Sequence, residues 1–212
     1  AAAGELEILV RGEGGHGARP HQSVDAVWLA ARVITELQQT IARRLDALQP
    51  VVISFGKVEG GRAFNVIADQ VRLLGTVRCM DLQQHAQLPA WTGETVQGSC
   101  AGGGGAAGVI YRCVALPVHN DPPLTHLLER CAVDCLGRDK VLPLEQPSLG
   151  AEDFAELLRD VPGMTVRLGV AGPEGCAPLH NGAFALEEDA LGVGIAVLTA
   201  TVLAWITENT SA

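Results

Sequence analysis

The chain has 212 residues, a formal net charge of −9, 48% hydrophobic and 18% charged residues. That composition supports a packed core and argues against disorder. An acidic balance without a basic run argues against a nucleic-acid partner, and the length fits one large domain or two small ones.

"ELEILV" (5–10) reads as a short strand, and "SVDAVWLAARVITELQQTIARRLDAL" (23–48) as a helix. Val27, Ala30, Ile34, Leu37, Ile41, Leu45 and Leu48 recur at helical steps and predict one apolar face. Ser23 is the expected N-cap and Pro50 the stop. Between strand and helix lies "GEGGHGARPH" (12–21), a loop of the kind that carries functional groups. Its glycines permit positive φ, or close approach of another backbone or a ligand. Taken alone, it reads more simply as a glycine-rich turn with two solvated histidines, His16 and His21.

"VVISFGKVE" (51–59) and "QVRLLGTVRCM" (70–80) read as strands, joined by the glycine-led "GGRAFNVIAD" (60–69). In the second strand Val71, Leu73, Gly75, Val77 and Cys79 share one face. Residues 82–100 read as a helix weakened by Pro89 and Gly93. "AGGGG" (101–105) is a turn, and "AAGVIYRCVAL" (106–116) another strand. The order β-α-β-β-α-β predicts a split βαβ sandwich, a sheet with two helices on one face.

"PVHNDPP" (117–123) holds three of the eleven prolines and marks a boundary. Beyond it the sequence predicts a helix (124–136), a short helix (151–159), a strand "MTVRLGVAG" (164–172) and a final helix. These elements need more sheet than their own segment supplies. Residues 190–206, "ALGVGIAVLTATVLAWI", carry no charge and fall just short of a membrane span. The acids Glu187, Glu188 and Asp189 suit the first turn of a core helix lying on a sheet, and no membrane partner is expected. The six cysteines form no C-x-x-C pair, and "AAAGELEILV" has no signal-peptide pattern. Reduced, mostly buried thiols in a cytoplasmic protein are expected, with Cys131 and Cys135 on one helix face.

Four stretches, "GEGGHGARPH" (12–21), "GGRAFNVIADQVRLLGTVRCMD" (60–81), "PSLGAEDFAELL" (147–158) and "APLHNGAF" (177–184), occur in this order. Together they resemble the M20 family of metallopeptidases and amidohydrolases. The nearest branch is that of hippurate hydrolases, N-acyl-amino-acid amidohydrolases and auxin-conjugate hydrolases. The resemblance runs from about residue 5 to 207. It implies an α/β (α+β) chain: a ferredoxin-like lid and dimerisation domain at 5–116, then the C-terminal part of a zinc-peptidase-like catalytic domain at 117–212. It implies cleavage of the amide bond of N-acyl amino acids or related conjugates, a homodimer formed through the lid, and two divalent metal ions, zinc or manganese.

By the same resemblance, His16 is a catalytic lid histidine that reaches the partner's active site and stabilises the oxyanion, while His21 is structural. Asn65 hydrogen-bonds substrate, Arg78 holds a substrate carboxylate, and Gly150 borders the substrate pocket with Glu152 and Asp153. His180 is a metal ligand. Read on their own, Asn65 is a turn residue, Arg78 an exposed strand charge, His180 a solvated loop side chain, and the two acids helix caps. The family's other ligands and its general-base glutamate have no match here, so divalent ions are not expected to bind tightly to this chain alone. The expected setting is a segment of a working enzyme with an N-terminal catalytic half elsewhere. The alternative is an inactive truncated homologue that dimerises or binds small molecules.

Overall fold

Alternating apolar residues build a four-stranded antiparallel sheet in the order β3-β5-β1-β6. Strand β1 (Ala2–Arg11) buries Leu6, Ile8 and Val10 and turns Glu5 and Arg11 to solvent. Strand β3 spans Val51–Gly60, β5 spans Gln70–Cys79 and β6 spans Ala106–Ala115. On β5, Val71, Leu73, Val77 and Cys79 are buried, as the alternation predicts. The computed structural model describes residues 1–46, 48 and 50–210.

Two helices cover the inner face of this sheet, α1 (Ala26–Arg44) and α2 (Leu82–Ala101), and pack against each other. The order of elements is the split βαβ arrangement. Helix α1 departs from its expected details. Its cap is Asp25, whose carboxylate accepts from the Val27 and Trp28 N–H groups at 2.8 and 3.2 Å. Its buried stripe is Ala26, Leu29, Ala30, Val33 and Leu37, while Val27 is half-exposed. Leu48 lies beyond the helix, and the expected helical stretch also covers residue 47, outside the described residues. Pro89 does not stop α2. Asp81 caps the helix by accepting from Gln84 N–H at 2.7 Å, and Leu88, Thr92, Val96 and Cys100 are buried along it. That packing outweighs the lost proline donor.

The chain divides into two compact units, Ala1–Val118 with Ser148–Glu156, and His119–Pro147 with Leu157–Ala212. In the second, α3 (Pro122–Leu136) packs against α5 (Asp189–Thr210) around Leu128, Ala132 and Val197. Asp121 caps α3, accepting from Leu124 N–H at 2.9 Å. A short helix, α4 (Phe154–Leu157), replaces the longer one expected.

Residues 164–172 form no named strand; their one bridge joins Gly172 to Gly175. A strand needs a partner, and among the described residues this unit holds no sheet. Among the described residues, helix α5 therefore finds no sheet within its own unit. It buries Val197 and Thr201 and leaves Ile195, Leu198, Val202 and Leu203 more than half exposed. By length and composition it could cross a membrane. Of the six cysteines, all free, Cys79, Cys100 and Cys131 are buried, whereas Cys113, Cys135 and Cys176 are exposed. Cys135 thus departs from the buried pair expected on α3.

Candidate functional site

The loop after β1 is a short ribbon: β2 (Gly15–His16) pairs antiparallel with β4 (Val66–Ile67), His16 opposite Val66. Glycine is required here for close approach, since none of Gly12, Gly14, Gly15 and Gly17 has positive φ. A Cβ on Gly12 would lie 2.0 Å from the Val24 carbonyl oxygen, and one on Gly17 2.9 Å from that of Asn65. The Gly17 N–H donates to that same Asn65 oxygen at 2.9 Å. His16 and Asn65 therefore share one rigid ribbon and line one open depression with Arg62, Val66 and Asp69. Arg62 leans toward Asp69 at 3.5 Å.

His16 is exposed. The Ala18 N–H donates to its Nδ1 at 3.1 Å, so the neutral ring carries its proton on Nε2. The imidazole thus offers an Nε2–H donor from a backbone-fixed tautomer.

Arg78 and Gly150 form a second cluster in the same unit. Arg78 lies on β5 opposite Ala3 of β1. The Ala1 backbone nitrogen lies 2.7 Å from the Gly150 carbonyl oxygen, which places Gly150 beside the start of β1. Arg78 Nη1 is buried and has no hydrogen-bond partner among the described residues, which marks a donor awaiting an acceptor. Close by, the Glu152 carboxylate accepts from Phe154 N–H at 3.5 Å, at the start of α4.

Arg78 lies at one end of the four-stranded sheet, and the separate ribbon that carries His16 and Asn65 follows the other end of β1. Arg78 pairs with the start of β1, whereas Arg11 pairs with Gln70 at its end, just before the ribbon. At the rise of an extended strand these ends are about 26 Å apart.

His180 belongs to the second unit. Asn181 N–H donates to the Pro178 carbonyl at 3.1 Å, so residues 178–181 form a turn. His180 is the one non-glycine residue with positive φ (69°) among the described residues. It occupies the third turn position, where a left-handed residue is normally glycine. A side chain kept at such a position points to use rather than economy. Among the described residues no group of three His, Cys, Asp or Glu side chains converges. His180 can supply one ligand, and a divalent metal needs several, so the described residues do not by themselves fit a metal pair.

The sequence did not disclose the ribbon, which places Val66 beside His16 and Arg62 beside Asn65. Its only trace is the pair of glycine-led loops, 12–17 and 60–61.

Residues 1–98 match the peptidase dimerisation domain of the M20 family. A probable hydrolase of Synechocystis sp. is 46% identical over 97% of this chain and 52% of its own length. A solved Staphylococcus aureus structure superposes with a TM-score of 0.85 at 26% identity, covering 95% of this chain and 51% of that one. A dinuclear metal binding peptidase of the M20 family from Bacillus subtilis superposes with a TM-score of 0.75 at 28% identity, covering 96% and 50%. The chain spans about half the length of the curated relatives it matches.

Proposed function

We propose that this chain, whose residues 1–98 match the M20 peptidase dimerisation domain and which is 46% identical to a probable hydrolase over 97% of its length, supplies the lid and closing part of a metal-dependent amidohydrolase. The substrate class is N-acyl amino acids or related conjugates. The observation that carries this reading is the separation of the two clusters along β1. Within one copy about 26 Å of strand lies between the β1 residue that faces Arg78 and the end of β1 that leads to the His16 ribbon, a span longer than one small substrate. Two copies joined through the dimerisation domain can bring both clusters to one substrate. His16 and Asn65 of one copy then serve the substrate held by Arg78 and Gly150 of the other.

The chemistry of each group supports its role. Arg78 offers a buried, unpartnered guanidinium nitrogen, and a planar guanidinium pairs bidentately with a carboxylate. His16 offers a donor of fixed tautomer, suited to the negative charge that develops on a scissile carbonyl. His180 contributes one ligand to the metal pair, the others coming from chain beyond the described residues. The six free thiols favour a reducing compartment, the cytoplasm.

The test is complementation in the complete protein that carries this segment. His16→Ala and Arg78→Ala are each expected to lower kcat/KM about tenfold or more. Mixed subunits recover about a quarter of wild-type activity, because half the dimers are mixed and each holds one intact site. No recovery in a demonstrably mixed dimer rejects the two-copy site. The absence of converging metal donors among the described residues favours a second reading, a dimerising or small-molecule-binding module without hydrolysis. Full metal-independent binding of N-acyl amino acids with no turnover under added zinc or manganese would select it.

A further inference from the structure

The geometry points to Phe64 and Val66 as the residues that read the acyl group of the substrate, favouring a bulky hydrophobic acyl over acetyl. The inference rests on the reading that His16 serves the scissile carbonyl.

Phe64 is the most exposed large hydrophobic residue among those described, at 104% of its reference area. It is not on a loose tail. The Val66 N–H donates to the Ala63 carbonyl at 3.2 Å, so residues 63–66 form a turn with Phe64 and Asn65 at its corners. The Asn65 carbonyl is held by Gly17 N–H at 2.9 Å, and Val66 is paired with His16. The backbone on the C-terminal side of Phe64 is therefore bound to the strand that carries His16. An aromatic ring held in water at a fixed place is an unpaid hydrophobic contact.

The residues lining the depression beside His16 define what a substrate meets there; Phe64 is not among them but precedes two of them, Asn65 and Val66, in the same turn. Residues directly opposite in an antiparallel pair project from the same face, so Val66 stands beside the His16 imidazole. Val66 is itself 48% exposed. The two nearby charges, Arg62 and Asp69, face each other at 3.5 Å and neutralise their side of the depression. The carboxylate half of the substrate is assigned to Arg78 and Gly150 in the other cluster. Asn65 is assigned to a substrate hydrogen bond; the remaining side chain opposite His16, Val66, is apolar, and the carbonyl that His16 addresses belongs to the acyl half. The Val66 side chain and the Phe64 ring then flank the chain or ring attached to that carbonyl.

The experiment compares kcat/KM for the N-acetyl, N-hexanoyl and N-benzoyl forms of one amino acid, in the complete protein that carries this segment. In Phe64→Ala the benzoyl-to-acetyl and hexanoyl-to-acetyl ratios fall about tenfold, mainly through KM. Phe64→Leu recovers part of the hexanoyl ratio, and Val66→Ala lowers both ratios less. Both Phe64 variants retain the wild-type unfolding midpoint, because the ring is outside the core. Unchanged ratios in Phe64→Ala overturn the inference. So does a weakened dimer with unchanged ratios, which would make Phe64 an anchor on the second copy. His16→Ala separates the two levels. Retained turnover in that variant overturns the underlying reading and this inference with it, whereas lost turnover with unchanged Phe64 ratios overturns this inference alone.

Discussion

The Tyr111 hydroxyl lies 3.0 Å from His85 Nε2, joining the first turns of α2 to strand β6. The rings meet edge to face, with centroids 5.8 Å apart. Burial pushes the Tyr111 hydroxyl up to about 12 and holds His85 below its ordinary value. Tyr111 therefore stays protonated across the neutral range and shares one hydrogen bond with a neutral imidazole. A Cβ on Gly4 would lie 2.5 Å from the Tyr111 oxygen, so the ring fits only over a glycine of β1.

This pair makes stability depend on pH. The folded-state pKa of His85 is depressed, so the unfolded chain takes the proton first. The contribution is fully present above the unfolded value of about 6.5 and is lost as pH falls through that value and then the lower folded one. Urea midpoints at pH 7.5 and 5.5 should differ more for the wild type than for His85→Gln. Equal differences would exclude His85 as the source. Tyr111→Phe leaves Nε2 without its hydrogen-bond partner and should cost about 1–2 kcal/mol at pH 7.5.

Gly17→Ala tests the ribbon. Its Cβ would press on the Asn65 oxygen that the Gly17 N–H bonds. The His16 strand should move away from Asn65 while the core is untouched. In the complete protein we expect kcat to fall by about tenfold or more, since a small misplacement of a catalytic group costs that much. The thermal midpoint should shift little. Unaltered kcat would show that the ribbon tolerates slack.

Arg78→Met separates stability from function. The guanidinium carries a buried nitrogen without a partner among the described residues, and an apolar side chain of similar length removes that cost. The unfolding midpoint should hold or rise. KM for substrates with a free carboxylate should rise about tenfold or more, as for loss of a charged partner. A lower midpoint with unchanged KM would make Arg78 a structural residue.

Ala31→Glu addresses assembly. Val27, Ala31, Thr35, Gln38 and Ala42 are exposed on one face of α1, and none carries charge. In a dimerisation domain that face suits a second copy. Sedimentation of the wild type at tens of micromolar should show a dimer, and the glutamate should give a folded monomer. A dimer of unaltered affinity would move the interface to another surface.

The lid is legible in the amino-acid sequence because its signals are local. Alternation on β1 and β5, the helical spacing of α1 and the glycine punctuation at 101–105 are each written in neighbouring residues. The order of elements then leaves the split βαβ sheet as the simplest solution. His16, Asn65, Arg78, Gly150 and His180 can be singled out by resemblance, but not grouped. Grouping depends on register: the pairing of Ala3 with Arg78 sets Arg78 against the start of β1, while the pairing of His16 with Val66 puts His16 in a separate ribbon that follows the end of β1. Register arises from pairings between residues distant in sequence. For the same reason the cap falls on Asp25 and not Ser23, Pro89 is absorbed into a packed helix, and "MTVRLGVAG" stays out of any named strand. Local preference proposes each element, and the availability of a partner surface decides whether it forms.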